Sequence, residues 1–159
     1  MSTHNAVIDW TLSQATDADF LAGHYSRAHT IGFDGGVTLP GSSSPSVVRP
    51  PWSEVAAADP EEMLVASVSS CHMLWFLDLA KQAGFAVRRY RDTPEGRMGK
   101  MPGGAIGITR IVLRPSVRFG GTGPSAAELD ALHHKAHAAC FIANSLNSEI
   151  LVLPALEGP

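Results

Sequence analysis

Between Asp59 and Gly84 the chain carries a nearly continuous apolar segment that opens and closes with helix signals. Asp59 can cap a first turn, and Pro60 suits the first helical position, where its missing N–H would have no partner anyway. Glu62 stands three residues after the cap, where a carboxylate reaches back to the cap backbone. Gly84 is a natural stop, because glycine adopts the left-handed conformation that ends helices. These signals predict a helix from Pro60 to about Ala83. Its most apolar stretch, Met63 to Ala80, holds three serines, His72 and Asp78, which argues against a membrane span. A core helix apolar on most faces, buried nearly all round, fits better.

The rest of the chain must supply what packs on that helix. Val7 to Leu12 and His24 to Phe33 read as strands, and Asp34-Gly35-Gly36 as the turn that follows. Pro40 to Pro51 is rich in Gly, Ser and Pro and reads as a loop. Phe85 to Tyr90 reads as a strand, and Ile106 to Phe119 as a longer one. Its apolar parity changes near Arg110, which predicts a bulge or bend. Ser125 and Glu128 form a capping box at the start of a second helix, with Leu129, Leu132, Ala136 and Ala139 at helical spacing. That helix is expected to end near Cys140, with a short helix through Leu146 and a final strand from Glu149 to Leu153. This order is α+β rather than a regular β-α-β alternation, and 159 residues suit one domain spanning 1–159.

Charge and motifs exclude several functions. With 12 Lys and Arg against 15 Asp and Glu, the net charge is −3 and no basic face is available for nucleic acid. No Gly-rich loop follows a strand, so a nucleotide cofactor has no support. The first residues lack the pattern of a signal peptide, and a cytoplasmic location is the default expectation.

Chemistry therefore falls to two cysteines. In a reducing compartment a structural disulfide is not expected, and a free cysteine is often only a small buried hydrophobe. Cys71, in Ser69-Ser70-Cys71-His72, lies in the middle of the apolar helix. It is either a core residue or a nucleophile in an apolar pocket. Burial raises a thiol pKa, so a reactive Cys71 needs a cationic partner, and it is too far from the helix N-terminus for the dipole to serve. Cys140, in His137-Ala138-Ala139-Cys140-Phe141-Ile142, lies at a helix end, where the backbone can shift to bring a second sulfur close.

The segment Asp59-Pro60-Glu61-Glu62-Met63-Leu64-Val65-Ala66-Ser67-Val68-Ser69-Ser70-Cys71-His72 resembles the first-cysteine motif of the OsmC and organic hydroperoxide resistance family of thiol peroxidases. His137 to Leu146 resembles its second-cysteine segment, and the element order is similar over most of the chain. The resemblance implies an intertwined homodimer with curved antiparallel sheets around two central helices. It implies reduction of organic hydroperoxides, with hydrogen peroxide a poorer substrate. It implies a peroxidatic Cys71, a resolving Cys140, a redox-active disulfide between them, and an Arg–Glu pair that tunes the thiolate. A lipoyl-type dithiol is the reductant it suggests, and it calls for no metal, haem or flavin.

Glu61 matches the family glutamate by its place after Asp59-Pro60, whereas Glu62 is explained as a cap. Arg27 is the candidate arginine, with Arg49 its rival; either also reads as a solvated surface charge. On one straight helix Glu61 and Cys71 would stand about 15 Å apart. Either the chain bends near Asp59 or Glu61 serves the Cys71 of another subunit, and an active site at the dimer interface is expected. Phe141 stands where many members have proline, and the Pro40–Pro51 loop is longer than in the shortest members.

His133, His134 and His137 cluster on the second helix, two of them at a spacing that can bind metal. No motif completes a site, and the expectation is no metal. His72 points away from the Cys71 face and is expected to pack or hydrogen-bond. Two alternatives remain on the same fold: a binding module for an apolar ligand with incidental cysteines, and a metal-binding protein using Cys140 and the nearby histidines.

Overall fold

A computed structural model describes residues 2–156, which form two compact units dividing after Met63. The first unit holds β1 (Ala6–Asp9), α1 (Asp17–Leu21), β2 (His29–Phe33) and β3 (Thr38–Gly41). The strands make an antiparallel sheet in the order β1-β2-β3, with Ile8 opposite Ile31 and Ile31 opposite Leu39. The predicted turn after Phe33 is present: Gly36 has φ of +85° and donates its N–H to the Phe33 carbonyl at 2.9 Å.

Both expected early strands are shorter than read. β2 starts only at His29, because residues 24–28 are committed elsewhere. The Arg27 N–H donates to the Trp52 carbonyl at 3.0 Å, and the Ala28 N–H to the Ser26 hydroxyl at 3.1 Å. β3 begins before the expected loop and includes Pro40. α1 is a further element, held by a capping box of Thr16 and Asp19.

α2 (Pro60–Gln82) begins in the first unit and continues into the second. Its predicted cap is present: the Glu62 N–H donates to Asp59 Oδ1 at 2.7 Å, and the Asp59 N–H to Glu62 Oε2 at 3.3 Å. Gly84, with φ of +83°, ends it. The Phe85 N–H then donates to the Ala80 carbonyl at 2.9 Å. By length and composition α2 could cross a membrane. Its stripe of Val68, His72, Phe76 and Ala80 is instead packed into protein cores.

The second unit continues with β4 (Ala86–Arg91), β5 (Glu95–Lys100), β6 (Ile106–Leu113), β7 (Ser116–Gly120), α3 (Ala126–Ala139), a 3₁₀ turn (Ala143–Ser145), β8 (Glu149–Val152) and β9 (Ala155–Leu156). The expected long strand Ile106–Phe119 is two strands in different sheets. Pro115 has no N–H for a ladder, and the Arg114 N–H leaves the ladder for Asp92 Oδ1 at 2.7 Å. The predicted bulge is real: Arg97 pairs with Arg110 and Met98 with Ile108, so Thr109 is the extra residue. One sheet runs β4-β7-β9 and the other β5-β6-β8. The β4–β7 and β5–β6 pairs are antiparallel, and β8 and β9 each add a parallel edge strand.

Two apolar clusters fill this unit. Phe76 and Ala80 of α2 meet Val117, Leu129, Leu132 and Ala136. Val68 meets Ile108, Ile111 and Leu113. α2 is thus not buried nearly all round within one chain. Only its i, i+4 stripe is fully covered, and Leu74 remains 61% exposed. The strands and α3 reach one side of the helix, and the apolar residues on its other faces remain partly or largely open.

Candidate active site

In the first unit a cavity of about 490 Å³ contains both Arg27 and Glu61, with Trp10, Phe20, Tyr25 and His29 among its walls. Arg49 is exposed and does not line it. The Arg27 guanidinium carbon lies 3.7 Å from the centre of the Tyr25 ring. Its Nη1 donates to the Gly23 carbonyl at 3.0 Å and to the Tyr25 carbonyl at 2.5 Å. Among the described residues no ion pair joins Arg27 to Glu61, although they share the cavity. Glu62 is taken up by the α2 cap, as expected, and does not line the cavity.

In the second unit Cys71 is half-buried and lines a largely apolar cavity of about 610 Å³ with Ser67, Leu74, Trp75, Phe141 and Ile142. Phe141, the residue following Cys140, packs edge-on against Trp75 with ring centres 5.4 Å apart. The local sequence explains the opening. Cys71, Leu74 and Trp75 lie off the buried stripe of α2, on a face that the same chain leaves partly uncovered.

Cys140 caps the C-terminus of α3 and is fully buried. Burial pushes its thiol pKa up to about 11, and the neighbouring Cys71 thiol adds to the rise. The Ala143 N–H, 3.4 Å from Cys140 Sγ, pulls the other way. Both cysteines are free thiols. The structure therefore places the two sulfurs as neighbours in one unit, and places the Arg27–Glu61 cavity in the other.

The histidines are organised differently from a solvated cluster. His72 and His133 are almost completely buried. His72 Nε2 and His133 Nδ1 are 3.0 Å apart, so one ring donates to the other. The rings are nearly parallel, and His133 also stacks on Phe76 at 4.3 Å. His72 thus hydrogen-bonds, as the sequence suggested. Burial, with His137 nearby, lowers the His72 pKa to about 4. Burial and His72 lower that of His133 to about 3. Among the described residues no three His, Cys, Asp or Glu side chains converge on a metal position.

Sequence reasoning missed the aromatic walls around Arg27. Trp10 and Tyr25 fell inside expected strands, and Phe20 lies on α1. The Thr16-x-x-Asp19 capping pattern was the readable signal that a helix turns the chain there.

The model of the family described as OsmC-like protein matches residues 53–153. An OsmC-like protein of unknown function from Vibrio cholerae is 44% identical, with a TM-score of 0.93 over 98% of this chain and 100% of that one. An organic hydroperoxide resistance protein from Elizabethkingia anophelis is 18% identical, with a TM-score of 0.70 over 100% of this chain and 98% of that one. The organic hydroperoxide resistance protein OhrB of Bacillus subtilis is 14% identical, with a TM-score of 0.64 over 98% of each chain. A comparison with curated proteins gives no match.

Proposed function

The chain belongs to the OsmC-like protein family, and on that premise we propose that it is a cysteine-based peroxidase that reduces organic hydroperoxides to alcohols. The observation that carries this reading is the unlike pair of neighbouring thiols, one lining an apolar cavity and one fully buried. The solved organic hydroperoxide resistance proteins of the same fold support it.

In the proposed cycle the Cys71 thiolate attacks the terminal peroxide oxygen. The O–O bond breaks, and the alkoxide leaves and takes a proton to become the alcohol. Cys71 is now a sulfenic acid. Cys140 Sγ attacks it, an S–S bond forms and water leaves. An external dithiol, lipoyl-type in our reading, then restores both thiols by exchange and is itself oxidised. A reducing compartment such as the cytoplasm supplies such a dithiol. The apolar walls from Leu74, Trp75 and Phe141 would hold the carbon skeleton of the peroxide, with hydrogen peroxide a poorer substrate.

Arg27 is the cation in this reading. It holds Cys71 as thiolate and stabilises the developing charge on the leaving oxygen, with Glu61 orienting it. Glu61 precedes Cys71 by ten residues of one helix, about 15 Å of axial rise. We therefore assign the Arg27–Glu61 pair to the Cys71 of a second copy. Both compact units would form one domain of an intertwined homodimer whose site is shared.

The test is peroxide consumption with an alkyl hydroperoxide and dihydrolipoamide. Cys71→Ser is expected to lose activity, and Cys140→Ser to be oxidised once and then stall. Mass spectrometry after one peroxide equivalent should show a Cys71–Cys140 disulfide, two hydrogens lighter than the reduced chain. Full activity in Cys71→Ser would sink the proposal. Absence of turnover in the parent protein would favour an apolar-ligand binder, for which the same cavity would serve.

A further inference from the structure

Arg27 is a long, rotamer-rich side chain, yet the first unit holds it at several points. Its backbone is fixed first: the N–H donates to the Trp52 carbonyl at 3.0 Å, and His29 Nδ1 lies 2.9 Å from its carbonyl. Its guanidinium is then gripped on one edge and one face. Nη1 donates to the Gly23 and Tyr25 carbonyls, and the face lies 3.7 Å over the Tyr25 ring. Among the described residues, Nε and Nη2 donate to no protein group.

The ring doing the gripping is itself wedged. Tyr25 packs on Phe20 at 4.5 Å and meets Trp10 edge-on at 5.6 Å. Trp10 is tied in turn by its indole N–H to the Ser26 carbonyl at 2.9 Å. Gly23, with φ of +81°, follows α1 and offers its carbonyl to Arg27. A guanidinium over a negative ring face is attracted electrostatically, and that attraction grows where water is excluded. All these groups except Gly23, Ser26 and Trp52 line the same cavity.

We propose that Tyr25 is the positioning residue for Arg27: its ring face and the carbonyls beside it fix the guanidinium so that its unbonded edge is presented inside the cavity. The role rests on the peroxidase reading, in which that edge meets the thiolate and the leaving oxygen. It differs from that reading in assigning the arginine's orientation to an aromatic face as well as to Glu61. The phenol hydroxyl has no part in it, so only the ring should matter.

The experiment measures the second-order rate of Cys71 oxidation and the pH profile of Cys71 alkylation in the full-length protein. Tyr25→Phe should keep both at the parent value. Tyr25→Leu should slow oxidation about tenfold, the scale of a partly desolvated cation–π contact, and move the alkylation profile to higher pH. In an Arg27→Met background Tyr25→Leu should add nothing. A phenylalanine at position 25 fluorinated in steps keeps the ring's shape while weakening its negative face, so the rate should fall step by step even if the leucine variant does not fold. A rate that ignores fluorination, or a Tyr25→Leu protein with the parent rate and profile, overturns the proposal while leaving the peroxidase reading intact. Full activity in Arg27→Met would instead remove Arg27 from the mechanism, and this proposal with it.

Discussion

Cys71 and Cys140 are neighbours in one unit, yet the protein treats them oppositely. Cys71 sits on a face of α2 that the chain leaves half open, against an apolar cavity. Cys140 sits at the end of α3, fully buried, with its Sγ between the Val68 carbonyl and the Ala143 N–H. The contrast is one of exposure and desolvation: one thiol faces an opening, and the other is kept neutral by burial. In the proposed cycle the attacking thiol needs an entry path, whereas the resolving one is best kept neutral until it is called on. The helices that carry the two sulfurs are joined by the His72–His133 contact and by Phe76 stacking on His133. The contrast should therefore persist only while those helices stay packed.

The largest expected effect is on alkylation. With its pKa pushed up to about 11, Cys140 is ionised at pH 7 in only about one molecule in ten thousand, and burial also denies reagent access. Iodoacetamide should label Cys71 at least ~100-fold faster than Cys140 in the native protein. In denaturant the two rates should converge. Peptide mass mapping over time reads both, and equal native rates would break the comparison.

Next in size is the packing that joins the helices. Phe76 is fully buried and contacts His133, Tyr90 and Phe119. Phe76→Ala should destabilise the protein by about 3–5 kcal/mol, through lost burial and the cavity left behind. Denaturant unfolding measures the loss, and Cys140 labelling should accelerate in parallel. A stable variant with Cys140 still protected would show that Phe76 does not hold the two sites together.

Much of this architecture was legible because its signals are local. The Asp59–Glu62 and Ser125–Glu128 boxes occur where the residues predicted them, since a cap involves only four consecutive positions. The bulge at Thr109 showed in the parity of Ile108 and Ile111. β5 was missed because Gly96, Arg97, Gly99 and Lys100 carry no apolar alternation; pairing with β6 makes it a strand. The parallel contacts of β8 with β6, and of β9 with β7, join residues distant in sequence and leave no local trace. At the site, both cysteines could be found from their flanking residues. Resemblance alone favours Arg27 over Arg49; that Arg27 and Glu61 line one cavity was not legible, because no spacing encodes it.

Acid should act through the histidine pair. An unfolded histidine titrates near pH 6.5, but burial holds His72 to about 4 and His133 to about 3. Asp92 opposes the shift at His72, and His137 reinforces it. Between pH 6.5 and 4 the unfolded chain binds protons that the native pair refuses, so stability falls as pH falls. The contribution is complete above about pH 6.5. His72 alone should forfeit about 3 kcal/mol by pH 4. Urea midpoints at pH 7, 5.5 and 4 test this, and a His72→Gln, His133→Gln double variant should flatten the profile. An unchanged slope in that variant would assign the acid sensitivity to other groups.

The smallest expected effect reaches Cys140 from the far end of its own helix. Ser125 Oγ accepts the Glu128 N–H at 3.3 Å, and Glu128 Oε2 accepts the Ser125 N–H at 2.8 Å. Ser125→Ala removes the hydroxyl half of this box and should destabilise by about 1 kcal/mol. If opening of α3 exposes Cys140, its labelling rate should rise about fivefold, the same free energy expressed as a population, while Cys71 labelling stays at the parent value. Should Ser125→Ala lower stability but leave Cys140 labelling unchanged, the sulfur would be reached by local fraying of the 3₁₀ turn at Ala143–Ser145 instead. The waiting thiol would then be guarded by that turn and not by the helix as a whole.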